Sequence, residues 1–343
     1  MVKTRALSNL TGFIVAGFYH RNKFNPWHKT ANVTAVSRPT LARREFLKPK
    51  YWPTWLGIFL GYLICLMPLR VRWAVGSGLG RLGYRFARKR RHIVETNLRL
   101  CFPEKTDQER RRLAKDNFIS SGISIIETAV GWFISPDHYD DLVDFENLDL
   151  LLETQKQGKG VLLLGMHLST LDFTGAVVGR NASVDVMYRR NKNQLIETIM
   201  TRGRKKHFPS AIERDDVRQV IRRLKKGATV WYGADQDYGI KHSVFAPFFN
   251  IPAATITAPS RLIKMTDANV VILSHYRNLK TGRYRVCFSR MPAGYPSDDD
   301  VADCTMYNQV VESCVLEAPE QYWWLHRRFK TRPEGEARPY KRI

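Results

Sequence analysis

The chain is short of acid: 32 Asp and Glu stand against 55 Lys and Arg, a formal net charge of +23 over 343 residues. It is also short of paired cysteine. Cys65, Cys101, Cys287, Cys304 and Cys314 lie far apart, with no C-x-x-C among them. That spacing excludes a cystine-stapled secreted domain and a closed zinc site, and suits structural thiols in a reducing compartment. No metal and no cofactor is expected. A G-x-S-x-G elbow is absent, so no serine nucleophile is announced. "GLGRLG", residues 78–83, has the spacing of a dinucleotide-binding loop, but no strand precedes it; small residues that let helices approach closely are the better reading.

The excess positive charge is unevenly placed. Residues 1–50 carry +9, 51–69 carry no charge, 70–112 carry +9 and 322–343 carry +5, which leaves 113–321 neutral. A nucleic-acid binder carries its basic residues on the folded domain among exposed aromatics. Here they flank an uncharged apolar segment, where each is worth roughly 1 kcal/mol against an anionic bilayer. The partner read from charge is therefore a phospholipid surface and not nucleic acid.

That segment, "YWPTWLGIFLGYLICLMPL" (51–69), is just long enough to span about 30 Å of hydrocarbon, with Tyr51, Trp52 and Trp55 gathered at one end. It lies too far into the chain for a signal peptide. Four regions follow: a basic, weakly ordered extension (1–49), a membrane-anchor helix (50–70), an amphipathic helical interface region (71–135) and an α/β domain with a basic tail (136–343). Positive charge is denser after the segment than before it, placing the bulk of the chain on the cytoplasmic side. Pro53 and Pro68 leave room for a shallow or re-entrant helix, and a buried core helix is the bland alternative.

"PEKTDQERRRLAKDNFISSGISIIETAVGWF" (103–133) reads as a helix pair, capped by Thr106 or Asp107 with Glu109 in the first turn. Beyond residue 155, apolar bursts of strand length ("GVLLLGMH", "VDVMYRR", "ATVWYGADQD", "NVVILSHYR") alternate with helical stretches. Such alternation predicts an α/β fold: a largely parallel sheet flanked by helices, its last strands antiparallel.

Sites in such sheets form beyond the carboxyl ends of strands. Three ends carry polar groups: His167; Arg189 with Arg190; Asp235 with Asp237. His167 and Asp172 are five apart, a rotation of about 140° on a regular helix, so they meet only if His167 sits on the turn and Asp172 points back from the helix. A carboxylate on one imidazole nitrogen leaves the other free to take a proton. No nucleophile accompanies the pair, so the nucleophile is read as a substrate hydroxyl. Arg189 is a donor for an oxyanion or, with Arg190, a phosphate ligand. Backbone N–H groups near 168–170 are further oxyanion donors. Asp235 and Asp237 either cap a turn before Gly239 or hydrogen-bond a sugar. His326, Arg327, Arg328 and Lys330 offer a surface to an acidic protein or a lipid phosphate.

"H-L-S-T-L-D" has the H-x4-D form of membrane acyltransferases that use acyl thioesters. "KYWPTWLGI", "RKRRHIVETNLRLCFPEKTDQERR", "DYGIKHSVFAPFF" and "APEQYWWLHRRFKTRPEG" resemble, in order over residues 48–340, blocks of the Kdo2–lipid IVA acyltransferases of Gram-negative bacteria, most closely the lauroyl/palmitoleoyl branch. Many members of that branch have Glu where this chain has Asp172, and either carboxylate can orient a histidine. The resemblance implies an inner-membrane enzyme of lipid A biosynthesis that moves an acyl chain from acyl carrier protein to a hydroxyacyl chain of the lipid A precursor. A glycerophospholipid acyltransferase with the same base pair, or a membrane-tethered binding module with a structural histidine, are the alternatives.

Overall fold

The computed structural model describes residues 44–340. Residues 1–43 of the basic extension lie outside the described residues. Four helices lead: α1 (Trp52–Cys65), α2 (Leu69–Phe86), α3 (Arg88–Cys101) and α4 (Asp107–Phe133). The α/β part then runs β1 (Val143–Glu146), α5 (Leu148–Lys156), β2 (Val161–Gly165), α6 (Leu171–Asn181), β3 (Val184–Tyr188), α7 (Gln194–Arg204) and β4 (Ala211–Glu213). It continues through α8 (Val217–Lys225), β5 (Thr229–Gly233), β6 (Ser243–Phe248), β7 (Ile251–Ile256), α9 (Ala258–Thr266), β8 (Asn269–Asn278), β9 (Arg283–Arg290) and α10 (Asp300–Glu317).

Seven strands form one sheet in the order β1-β9-β8-β2-β5-β3-β4. From β8 to β4 the neighbours are parallel; β9 is antiparallel to β8, and β1 follows β9. β6 and β7 make a separate hairpin. The mixed, mostly parallel sheet matches the alternation in the sequence. β2, "VLLLG", is buried along its whole length, as a central parallel strand with both faces covered must be. Leu162 and Leu164 enter one apolar cluster with Val94, Leu98 and Phe118 of the leading helices. Val161 and Leu163 enter a second, with Ile123, Trp231 and Phe288.

Residues 107–133 are one helix of 27 residues, not a pair. Its start is a capping box: the Thr106 hydroxyl accepts the Glu109 N–H at 3.3 Å, and the Glu109 carboxylate accepts the Thr106 N–H at 2.7 Å. Helix α2 crosses α4 at Ser120-Ser121-Gly122. A Cβ on Gly122 would lie 2.7 Å from Gly80 Cα, and one on Gly76 would lie 2.6 Å from Ile123 Cα. The glycine-rich stretch thus serves helix approach, with Gly80 carrying the contact.

The uncharged segment departs from expectation. Only 14 residues are helical in α1, about 21 Å at 1.5 Å per residue, and the chain turns at Leu66–Pro68 before α2. Among the described residues no helix is long and apolar enough to cross a membrane. α1 and α2 instead leave Trp52, Leu56, Leu60, Leu82 and Phe86 exposed. Exposed Arg70, Arg81 and Arg85 stand on the same pair of elements.

Candidate active site

The register of β2 and β5 builds the site. The two strands are parallel neighbours with Gly165 opposite Gly233, so the positions two residues beyond each end, 167 and 235, come side by side. His167 Nδ1 lies 2.6 Å from Asp235 Oδ1, and the His167 N–H donates to Asp235 Oδ2 at 3.0 Å. Both oxygens of one buried carboxylate therefore hold the same residue.

The paired glycines make room for the rings. A Cβ on Gly233 would lie 2.8 Å from His167 Cε1, and one on Gly165 would strike Trp231 Nε1. His167 and Trp231 pack edge to face, with centroids 5.8 Å apart. The C-terminal segment straps the turn from above: Trp323 N–H donates to His167 O at 2.9 Å, and Ser169 N–H to Gln321 O at 2.7 Å. Leu168 N–H donates to Met166 O, so neither of these two N–H groups is free for an oxyanion.

Electrostatics fix the pair as a unit. Burial alone would raise the Asp235 carboxyl, but the charge of His167 and two hydrogen bonds from that residue hold it at about 2. Burial pulls the His167 imidazole down, yet the charge and hydrogen bond of Asp235 outweigh it, with a smaller contribution from Asp172, and the pKa rises above 6.5. With Asp235 accepting Nδ1–H, Nε2 carries the lone pair. Nε2 makes no hydrogen bond among the described residues, and 26% of the side-chain surface is exposed.

Asp172 is not the residue that hydrogen-bonds His167. It accepts from Arg204 at 2.9 Å and from the Thr128 hydroxyl at 3.2 Å. α4 also approaches the start of α6 closely where Gly131 has no side chain: a Cβ there would lie 2.7 Å from Asp172 O.

Behind Trp231, on the α6 face of the sheet, lies a small apolar cavity that opens partly to solvent; neither His167 nor Asp235 lines it. Leu163, Leu171, Val178, Val184 and Trp231 supply apolar walls; Asp172, Arg204 and His275 are its ionisable groups. Burial pulls His275 to about 3, so it is a neutral imidazole, its Nδ1 2.7 Å from the Thr170 hydroxyl. Beneath the turn, Arg277 and Glu127 form a buried ion pair at 2.5 Å. Arg277 also donates to Ser120 Oγ at 2.7 Å, which lies 2.8 Å from Ser169 Oγ, and Tyr284 donates to Glu127 at 2.6 Å.

The remaining sequence candidates scatter. Arg189 and Arg190 are exposed just beyond β3. Asp237 is buried and caps a turn: it accepts Gly239 N–H and Thr331 N–H, each at 2.8 Å. Arg328 points inward, donating to Ala254 O at 2.7 Å and Thr255 Oγ1 at 2.8 Å beneath the Phe248 ring, so it braces the hairpin instead of meeting solvent. Arg327 is exposed. His326 accepts the Asp237 N–H at 3.0 Å and is held by burial at about 4, hence neutral. Arg204, Trp231, Glu127 and Arg277 carry no motif, and sequence reasoning passes over them.

At adjacent strand ends, a buried carboxylate thus holds a histidine whose Nε2 is left open, an arrangement able to take a proton from a bound group. Residues 41–331 match the family described as bacterial lipid A biosynthesis acyltransferase, and the chain belongs to it. It is 38% identical over 298 residues to a lipid A biosynthesis palmitoleoyltransferase of Escherichia coli K12, covering 87% of this chain and 97% of that one. To the lauroyltransferase of the same organism it is 39% identical over 295 residues, 86% and 96% of the two chains. Against the myristoyltransferase the identity is 29% over 301 residues, 87% and 93%. The chain is an acyltransferase of the lauroyl/palmitoleoyl branch.

Proposed function

We propose that the protein transfers a fatty acyl chain, lauroyl or of similar length, from acyl carrier protein to a hydroxyacyl chain of Kdo2–lipid IVA. His167 Nε2 takes the proton of the acceptor hydroxyl as its oxygen attacks the thioester carbonyl, and Asp235 steadies the imidazolium. Collapse of the tetrahedral intermediate expels the carrier's thiolate, which recovers the proton from Nε2. No covalent acyl-enzyme is needed. General-base transfer of this kind contributes about 10²–10⁴-fold. Arg204, set in the cavity wall by Asp172, donates toward the carbonyl oxygen as negative charge develops there. Asp172 thus works through Arg204 and, weakly, through the charge it presents to His167. Arg189 and Arg190 receive phosphates of the acceptor, and Arg327 meets the acidic carrier. The acyl chain of the donor occupies the cavity.

The protein lies on the cytoplasmic face of the inner membrane, with the apolar surface of α1 and α2 in the headgroup region and their arginines toward anionic lipid. A helix pair with one apolar and one basic surface is suited to an in-plane position.

The observation that carries the reading is the 2.6 Å contact of His167 with Asp235, with the apolar cavity behind Trp231. The test is transfer from acyl carrier protein thioesters to labelled lipid A precursor, wild type beside His167→Ala, with lysophosphatidate as a second acceptor. Product on the lipid A precursor with wild type, lost by about 10²-fold or more in the variant, is expected. Activity that survives in the variant removes the base, and product on lysophosphatidate alone changes the acceptor class.

A further inference from the structure

We propose that the missing side chain at Gly175 sets the length of acyl chain the enzyme accepts; this rests on the acyl-transfer reading above. Glycine inside a helix is destabilising relative to alanine, so each one needs a reason. Most helical glycines around the site have one in close packing. A Cβ at Gly131 would lie 2.7 Å from Asp172 O, at Gly179 2.6 Å from His207 O, and at Gly203 2.8 Å from Trp132 Cα. Each would collide with a neighbouring element. Gly175 differs. The nearest atom a Cβ would meet is Phe208 Cζ at 3.6 Å, ordinary van der Waals contact, and the backbone is helical. Nothing in the fold forbids a side chain there.

What a side chain at 175 would occupy is the cavity, whose wall includes both Gly175 and Phe208. Helix α6 leads away from the strand ends that hold His167. Leu171 and Asp172, in its first turn, line the near part of the cavity, and Val178, with Val184 at the start of β3, lines the far part. Positions 171, 175 and 178 share one helix face, three and four residues apart. Gly175 therefore stands about 6 Å along the axis from Leu171, midway down the cavity. An acyl chain whose thioester sits at His167 passes position 175 before its tail reaches Val178. A side chain at 175 closes the far half and leaves the near half open.

The experiment uses the full-length protein as wild type, Gly175→Ala and Gly175→Leu, assayed with a ladder of acyl carrier protein thioesters from octanoyl to palmitoyl and a fixed lipid A precursor. The readout is the ratio of kcat/KM for short chains to that for long chains. Alanine, and more so leucine, should move the optimum to shorter chains, with about a fourfold loss for each methylene excluded, the factor that corresponds to roughly 0.8 kcal/mol per buried methylene. The thermal midpoint of Gly175→Ala should not fall, which separates a narrowed cavity from a damaged fold. A length profile of unchanged shape, with rates kept or lowered uniformly, overturns the assignment and places the donor chain elsewhere. Wild type that transfers no chain of any length sinks the acyl-transfer reading itself, and this inference with it.

Discussion

Asp235→Asn exchanges one carboxylate oxygen for an NH₂ and should disable the enzyme. Asp235 now accepts twice from one residue, at Nδ1 and at the backbone N–H of His167. An asparagine in the same place has one acceptor and one donor to offer. If its NH₂ faces Nδ1, the imidazole must carry its proton on Nε2, and the atom that should take the substrate's proton already holds one. If the NH₂ faces the backbone, two N–H groups oppose each other in a buried site, at a cost of about 1–3 kcal/mol. Either way the working tautomer becomes the minority. A carboxylate-to-amide change in the serine protease triad costs about 10⁴ in kcat, and loss of general-base catalysis costs about 10²–10⁴, so a fall of about 10²–10⁴ in kcat is expected here. A second signature should accompany it. The His167 pKa stands above 6.5 because the charge of Asp235 outweighs burial. With that charge gone burial dominates, and the acidic limb of the kcat–pH profile should move to lower pH. In Asp172→Asn, by contrast, the limb should scarcely move, because Asp172 is the smallest of the named influences on that imidazole. The assay is kcat against pH with a saturating acyl thioester, alongside a thermal midpoint. If Asp235→Asn keeps kcat within a few-fold of wild type, or Asp172→Asn moves the limb more than Asp235→Asn does, the orienting role given to Asp235 is refuted.

Four further outcomes follow from the packing and the charges. Glu127→Gln leaves Arg277 charged and unpaired in the interior; breaking a buried pair on one side costs about 3–5 kcal/mol, to be read from the denaturant midpoint at constant slope. Gly80→Ala puts a Cβ 2.5 Å from Ile119 Cα at the crossing of α2 and α4, and should destabilise by about 1–3 kcal/mol without altering the kcat of the folded fraction. Asp235 has a depressed pKa in the folded chain, so its contribution to stability is present above the ordinary 3.8 and is lost as pH falls toward about 2; Asp235→Asn should flatten the acid end of the stability–pH curve in that window. Sedimentation with vesicles tests the basic and apolar face of α1 and α2: binding should need anionic lipid and weaken as salt rises, and salt-insensitive binding to neutral vesicles would count against the charge contribution.

The parts of this chain legible in its sequence are those written in local periodicity. The buried run of β2, the capping box of α4 and the strand–helix alternation after residue 155 each lie within a few consecutive residues, and each reappears in the fold. The placement of His167 at a strand end was legible for the same reason. Its partner was not. Asp172 is five residues away in sequence, Asp235 is 68 away, and what brings the second closer is the register Gly165↔Gly233 between two parallel strands. Register is a property of pairing between segments, and one chain read alone does not contain it. Asp237 and Arg328 illustrate the same limit from the other side: their residue types suit a sugar or a phosphate, but the hairpin and tail that surround them have already taken their hydrogen bonds.

The apolar segment at 51–69 shows a different limit. Its composition is that of a spanning helix, and its length is barely sufficient, so the outcome turns on where the helix stops. Pro68 becomes the N-cap of α2, and a residue before proline is biased away from helix, which ends α1 at Cys65 and starts a second helix at Leu69. A substitution of Pro68 to alanine should separate the effect of this break from that of composition. Joining α1 and α2 into one continuous helix would carry Arg70 and Arg72 onto the line of the apolar segment. Arg72, now buried and donating to the Tyr139 hydroxyl at 2.9 Å, would have to leave that contact. The variant should therefore lose thermal stability while keeping its affinity for anionic vesicles, measured by sedimentation on the same preparation. Vesicle binding that fell in step with stability would mean that the bend itself, and not the apolar face it exposes, carries the membrane contact.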